Sequence, residues 1–273
     1  MQYESIELKD LYGCLQGGSL KVLCLDTPWG DDRDWVRPAV IVVPGGAYVG
    51  VSGREGETVA ADFLSAGYQV CVLKYLCSPQ KASYPEQICE LGCAVDYLRK
   101  NAARLRINPK EIFVLGFSAG GHLVADFSNE YPSLREKTGI DLDCAVTAVG
   151  LCYPVINDHD QSFDNLLCTY DREEKQKLKE ALRVDRMVGA HTPPTFLWTT
   201  AEDDVVPAHN TLDYALALSA KGVLFECHVY PHGTHGKSNG SPEVNDALDG
   251  TDVLSAWTKD MARFFRAFCK EAR

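Results

Sequence analysis

Ile112-Phe113-Val114-Leu115-Gly116-Phe117-Ser118-Ala119-Gly120-Gly121-His122 decides how this chain is read. The run from Glu111 to Leu115 is a short apolar strand, and Gly121 to Ser128 suits a helix. Gly-x-Ser-x-Gly stands between them. A serine at the tip of a sharp strand-to-helix turn is strained, and only glycine fits where the flanking backbones nearly touch. The turn lifts the hydroxyl above the sheet at a helix N-terminus, where the free N–H of Ala119 faces a developing oxyanion. The plainer account is a glycine-rich turn with a helix-capping serine. The strand before and the helix after favour a nucleophile.

Working outward, the chain alternates strand-like and helix-like segments. Apolar runs at residues 38–43, 68–74, 111–115, 145–152, 195–200 and 225–230 read as strands covered on both faces. Helical spacing marks residues 86–105, 210–221 and 252–269. This alternation implies βαβ units and a mostly parallel sheet with helices on both faces, an α/β fold. Residues 3–8 and 20–25, separated by Gly17-Gly18, read as an antiparallel hairpin at the sheet edge. No repeat or linker breaks residues 1–273, so one domain is expected. Residues 155–191 are polar, and Asp171 with Glu174 opens an exposed helix by a capping box. That segment is either a solvated surface helix or a small lid.

A serine hydroxyl is a weak nucleophile at neutral pH and needs a base and a group to orient that base. Both belong in loops after later strands, acid first and histidine second, on the sheet edge that carries the serine. The strand at 195–200 ends at Ala201-Glu202-Asp203-Asp204-Val205-Val206-Pro207, and the strand at 225–230 ends at Pro231-His232-Gly233-Thr234-His235-Gly236. Glu202, Asp203 and Asp204 all qualify as the acid. His232 and His235 compete as the base, with the glycines around His235 favouring it. His228 falls within a strand and His122 on the helix after Ser118, and both read as structural. His232 and His235 also form His-x-x-His, but their glycine-rich loop fits metal-ligand spacing poorly, so no metal is expected.

The remaining oxyanion donors should follow an earlier strand. Pro44-Gly45-Gly46-Ala47-Tyr48 stands there, and its small residues let the N–H groups of Gly46 and Ala47 approach the charge. Tyr48 is expected to shape the substrate pocket, together with residues 155–191.

Composition limits the setting. The 273 residues carry 27 Lys plus Arg against 38 Asp plus Glu, a formal charge of −11, which argues against nucleic-acid or anionic-membrane partners. The 11 cysteines are odd in number, form no Cys-x-x-Cys and lie largely in apolar runs, as core thiols do in a reducing compartment. No signal peptide or membrane-spanning run is visible, and a cytoplasmic location is expected. Self-association stays open.

The chain resembles the α/β-hydrolase superfamily, and within it the small serine esterases similar to acetyl-xylan and feruloyl esterases. The resemblance runs from Pro38 to the final helix. It is carried by Pro44-Gly45-Gly46-Ala47-Tyr48, Gly116-Phe117-Ser118-Ala119-Gly120-Gly121-His122, Thr192-Pro193-Pro194-Thr195-Phe196-Leu197-Trp198, Asp203-Asp204-Val205-Val206-Pro207 and Gly233-Thr234-His235-Gly236. It implies Asp203 as the acid, four residues before a proline, and His235 as the base within Gly-x-His-Gly. Related esterases and kynurenine formamidases often carry His-Gly-Gly where this chain has Pro44-Gly45-Gly46, which turns the reading away from lipase-like and formamidase branches. The implied activity is cofactor-free hydrolysis of short acyl esters, first of all acetyl groups on sugars or xylo-oligosaccharides. A serine peptidase or amide hydrolase, formamidase included, is the alternative on the same fold. A non-catalytic binding protein is the other, which the presence of Ser118, Asp203 and His235 counts against.

Overall fold

The computed structural model describes residues 2–26, 35–157, 159–245, 254 and 256–270. The strands are β1 (Gln2–Glu7), β2 (Ser19–Cys24), β3 (Arg37–Val43), β4 (Gln69–Lys74), β5 (Ile107–Phe117), β6 (Ala148–Cys152), β7 (Thr195–Thr200) and β8 (Phe225–Tyr230). The helices are α1 (Glu57–Ser65), α2 (Glu86–Lys100), α3 (Ala102–Leu105), α4 (Ser118–Glu130), α5 (Leu134–Thr138), α6 (Asp160–Leu166), α7 (Arg172–Ala181), α8 (His209–Ala220) and α9 (Trp257–Arg266).

The strands form an eight-stranded sheet in the order β1-β2-β4-β3-β5-β6-β7-β8. β1 pairs antiparallel with β2, as the edge hairpin predicts; β2 also pairs antiparallel with β4, and the other neighbours run parallel. Because side chains alternate along a strand, the apolar runs serve two cores. Ala39, Ile41, Val43 and Val114 join the core under α2 and α4, while Val40, Val42, Phe113 and Leu115 join the core under α1 and α9. On the second face Phe113 stacks on Phe265 with ring centroids 4.6 Å apart.

Several elements differ from expectation: β5 runs from Ile107 to Phe117 instead of 111–115, and α4 starts at Ser118 instead of Gly121. The long helix expected over 86–105 breaks at Asn101, whose side-chain amide donates to the Tyr97 carbonyl at 2.9 Å. β6 begins at Ala148 instead of Ala145, with Thr147 joined to Ile112 by one backbone bond. α1 was not anticipated. The final helix is described from Trp257, and residues 252, 253 and 255 of its expected span lie outside the described residues. No helix among the described residues is long and apolar enough to cross a membrane.

Parallel strands bring their carboxyl ends to one edge of the sheet. The turn after β3, Ser118 after β5, Tyr153 after β6, Asp203 after β7 and His235 after β8 all belong to that edge.

Candidate active site

Ser118 is the first residue of α4 and has φ 52°, a left-handed conformation that costs a non-glycine residue about 1–3 kcal/mol. Its neighbours explain how the turn closes. A Cβ on Gly116 would lie 2.2 Å from the Gly120 carbonyl oxygen, and one on Gly120 would lie 2.3 Å from that of Val43. Neither position admits a side chain.

The hydroxyl meets His235. Ser118 Oγ lies 2.8 Å from His235 Nε2, and His235 Nδ1 lies 2.7 Å from Asp203 Oδ2. The other oxygen of Asp203 accepts the N–H groups of Val205 at 3.1 Å and Val206 at 2.8 Å, which fixes the carboxylate. A carboxylate only accepts, so Nδ1 carries the ring proton and Nε2 is left to accept from the serine hydroxyl. Asp203 is 5% exposed. Asp204 points to solvent instead.

Glu202 and His232 make a separate pair. His232 Nδ1 lies 2.9 Å from Glu202 Oε1, and Glu202 Oε2 accepts the Gly233 N–H at 3.2 Å. Thr200 donates its hydroxyl to the Gly233 carbonyl at 2.6 Å. These bonds tie the loops after β7 and β8 together. His232 and His235 are thus engaged by different carboxylates, and among the described residues no group of three or more His, Cys, Asp or Glu side chains is arranged to hold a metal. His228 pairs with Glu226 at 2.8 Å and stacks on Phe196.

The turn after β3 lies against the serine. A Cβ on Gly45 would come within 2.9 Å of Ser118 Cβ. Gly46 has φ 134°, and its carbonyl accepts from Val49 N–H at 3.0 Å and Gly50 N–H at 3.2 Å. Ala47 follows with φ 50°, and its carbonyl accepts from Asn165 Nδ2 at 2.9 Å. On the other side of the serine, Ala119 occupies the first turn of α4, where N–H groups have no acceptor within the helix.

Tyr48 departs from expectation. Its side chain is 1% exposed and packs inside the molecule, with its hydroxyl 2.9 Å from His122 Nδ1, so it braces the turn from within and is closed off from solvent. His122 Nε2 lies 3.0 Å from the Leu182 carbonyl. A carbonyl requires a donor, so Nε2 holds the proton and the Tyr48 hydroxyl donates to Nδ1. Burial lowers the His122 pKa to about 4 and keeps the ring neutral.

Within residues 155–191, α7 has the expected capping box and no buried residue, which makes it a solvated helix. α6 is different: Phe163 and Leu166 are buried, and the Phe163 ring meets His122 edge-on at 5.1 Å. The sequence reading passed over Glu55 and Tyr153. Glu55 is 4% exposed and accepts the Gly45 N–H at 2.8 Å and the Tyr153 hydroxyl at 2.6 Å. Tyr153 follows β6 directly at the carboxyl edge, a position that marks a residue for attention in a parallel sheet.

The BD-FAE family pattern matches residues 30–218. The chain is 30% identical over 239 residues to the endo-1,4-beta-xylanase B of Butyrivibrio fibrisolvens, a match covering 85% of this chain and 37% of that protein. It is 30% identical over 207 residues to the acetylxylan esterase of Xylanibacter ruminicola, covering 72% and 40% respectively. The chain therefore spans about two fifths of the length of these curated relatives. Among solved structures, the carboxylesterase Cest-2923 of Lactobacillus plantarum WCFS1 superposes with a TM-score of 0.87 at 25% identity, over 98% of each chain. The acetyl ester-xyloside bifunctional hydrolase of Caldicellulosiruptor lactoaceticus superposes with a TM-score of 0.80 at 31% identity, over 97% of this chain and 96% of its own. The chain belongs to the BD-FAE family and has the α/β-hydrolase fold.

Proposed function

We propose that this protein is a serine carboxylesterase that removes short acyl groups, acetyl foremost, from sugars or xylo-oligosaccharides. The observation that carries the reading is the continuous hydrogen-bonded run from Asp203 through His235 to Ser118. His235 Nε2 takes the Ser118 proton as Oγ attacks the ester carbonyl carbon. Asp203 holds the Nδ1–H and stabilises the imidazolium that forms. The N–H groups of Ala119, Gly46 and Ala47 receive the oxyanion.

His235 then gives its proton to the departing alcohol, leaving an acyl group on Ser118. Water attacks the acyl carbonyl with His235 again as base, and the acid and free serine are released. Each proton passes between Ser118, His235, substrate and water, so the cycle closes without a cofactor. The substrate class is supported by the two relatives whose names specify acetylated xylan or acetyl ester-xyloside chemistry. The eleven free cysteines, most of them buried, fit a protein working in a reducing compartment.

The test compares the wild-type chain with Ser118→Ala on p-nitrophenyl acetate, acetylated xylo-oligosaccharides and a matched formamide. Wild-type turnover of the esters should exceed that of the formamide, and the variant should fold while losing about 10⁴-fold or more in kcat. Preference for the formamide, or full ester turnover by the variant, contradicts the proposal.

A further inference from the structure

Glu55 is a buried carboxylate to which the mechanism above gives no task. Keeping such a charge inside a protein costs several kcal/mol, and an apolar side chain fills space more favourably. Its surroundings point to a role. Glu55 Oε2 accepts the N–H of Gly45, one residue before the peptides that face the oxyanion. Glu55 Oε1 accepts the Tyr153 hydroxyl. The Tyr153 oxygen in turn accepts the N–H of Ser238 at 3.0 Å, three residues beyond His235.

Tyr153 also touches the histidine itself. Its ring meets the His235 ring edge-on, with centroids 5.0 Å apart at 72°. Ser238 is fixed on two further sides: its hydroxyl donates to the Arg54 carbonyl at 2.6 Å, and its carbonyl accepts from Trp257 Nε1 at 2.9 Å. Glu55 and Tyr153 together thus connect the turn resting on Ser118 with the loop that carries His235. Burial pushes the Glu55 carboxyl upward, while the donors Tyr153 and Gly45 and the nearby His235 and Arg54 favour its charged form.

We propose that Glu55 is a positioning residue of the hydrolysis: it holds the Gly45–Ala47 turn against Ser118 and, through Tyr153, keeps the His235 loop in register with that turn. The proposal rests on the Ser118 mechanism. Misplacement by about 1 Å at a reacting centre can cost on the order of 100-fold in rate. The loss belongs to the transition state and leaves substrate binding nearly intact.

The experiment measures kcat and KM for p-nitrophenyl acetate, and inhibition by a trifluoromethyl ketone that forms an oxyanion adduct, in the full chain and in Glu55→Ala, Glu55→Gln and Tyr153→Phe. Near-ultraviolet circular dichroism establishes that each variant is folded. Glu55→Ala should lose about 100-fold in kcat with KM within about threefold. Glu55→Gln, which keeps an acceptor for Gly45, should recover part of that and lose about tenfold. Tyr153→Phe, which keeps the ring on His235 but cuts the tie, should also lose about tenfold, and it carries the test if Glu55→Ala does not fold. Ketone inhibition should weaken in proportion to kcat. Folded Glu55→Gln and Tyr153→Phe chains with kcat and ketone inhibition within twofold of wild type would overturn the assignment. Wild-type turnover that survives Ser118→Ala would instead overturn the parent mechanism, and the assignment with it.

Discussion

The side-chain amide of Asn165, in the polar insertion, donates to the backbone carbonyl of Ala47 at 2.9 Å. It braces the peptide that joins Ala47 to Tyr48. Leu182, at the other end of the same insertion, braces the turn from below through His122 and Tyr48. The insertion is therefore coupled to the turn after β3 at two points, through α6 and through the residue after α7.

Replacing Asn165 with alanine removes one of these braces. One lost hydrogen bond is worth about 0.5–1.5 kcal/mol, or roughly a twofold to tenfold change. We expect Asn165→Ala to lower kcat by that factor while KM for p-nitrophenyl acetate changes little. Steady-state kinetics on the purified variant checks this, and an unchanged kcat counts against a brace.

The two neighbouring aspartates should behave very differently. Asp203→Asn keeps the shape but offers Nδ1 an amide, which favours the wrong ring tautomer and should cost about 10³–10⁴-fold in kcat. Asp204→Asn, at a solvent-facing position, should remain within about twofold of wild type. Parallel kinetics on both variants decides between them, and equal losses would remove the geometric basis for choosing Asp203.

Acid should destabilise the fold partly through His122. Its pKa is lowered by burial to about 4 from 6.5, so between those values the unfolded chain binds a proton that the folded chain refuses. Stability present above pH 6.5 is therefore lost as pH falls toward 4, by about 3 kcal/mol across the window. Urea unfolding of wild type and His122→Gln at several pH values should show the variant losing less. Parallel curves contradict a buried neutral histidine.

Asp126 predicts the opposite slope. Burial, with Glu130 adding to it, raises its pKa to about 8 from 3.8, and its Oδ1 is buried without a hydrogen-bond partner among the described residues. The folded chain keeps a proton that the unfolded chain releases, so this contribution fades as pH rises from about 4 to 8. Asp126→Asn should gain on wild type over that range in the same unfolding measurements. A difference that does not change with pH argues against a protonated Asp126.

Much of this arrangement is legible in the amino-acid sequence. Glycines at 116 and 120 signalled a turn too tight for side chains, and the approaches to Gly120 O and Val43 O are the reason. β3, β4, β6 and β7 are readable because burial on both faces leaves no polar alternation to confuse them, whereas β8, expected to be covered on both faces, lies at the sheet edge and has no buried residue. α1 was harder, since Val59, Ala60 and Phe63 are the buried residues of a helix only nine residues long. Tyr48 was misread for a specific reason: a residue's place in a functional turn says nothing about the direction of its side chain. Glu55 and Tyr153 were missed because their importance is a contact across 98 positions in the chain, which no local pattern encodes.

The central claim is that Ser118 is the nucleophile. The most direct measurement is reaction of the full chain with a fluorophosphonate, followed by peptide mass mapping of the adduct. The account predicts one adduct per chain, on Ser118, with its formation abolished in Ser118→Ala and matched by loss of ester turnover. An adduct on another residue, or a Ser118→Ala chain that still labels and still turns over ester, would contradict it.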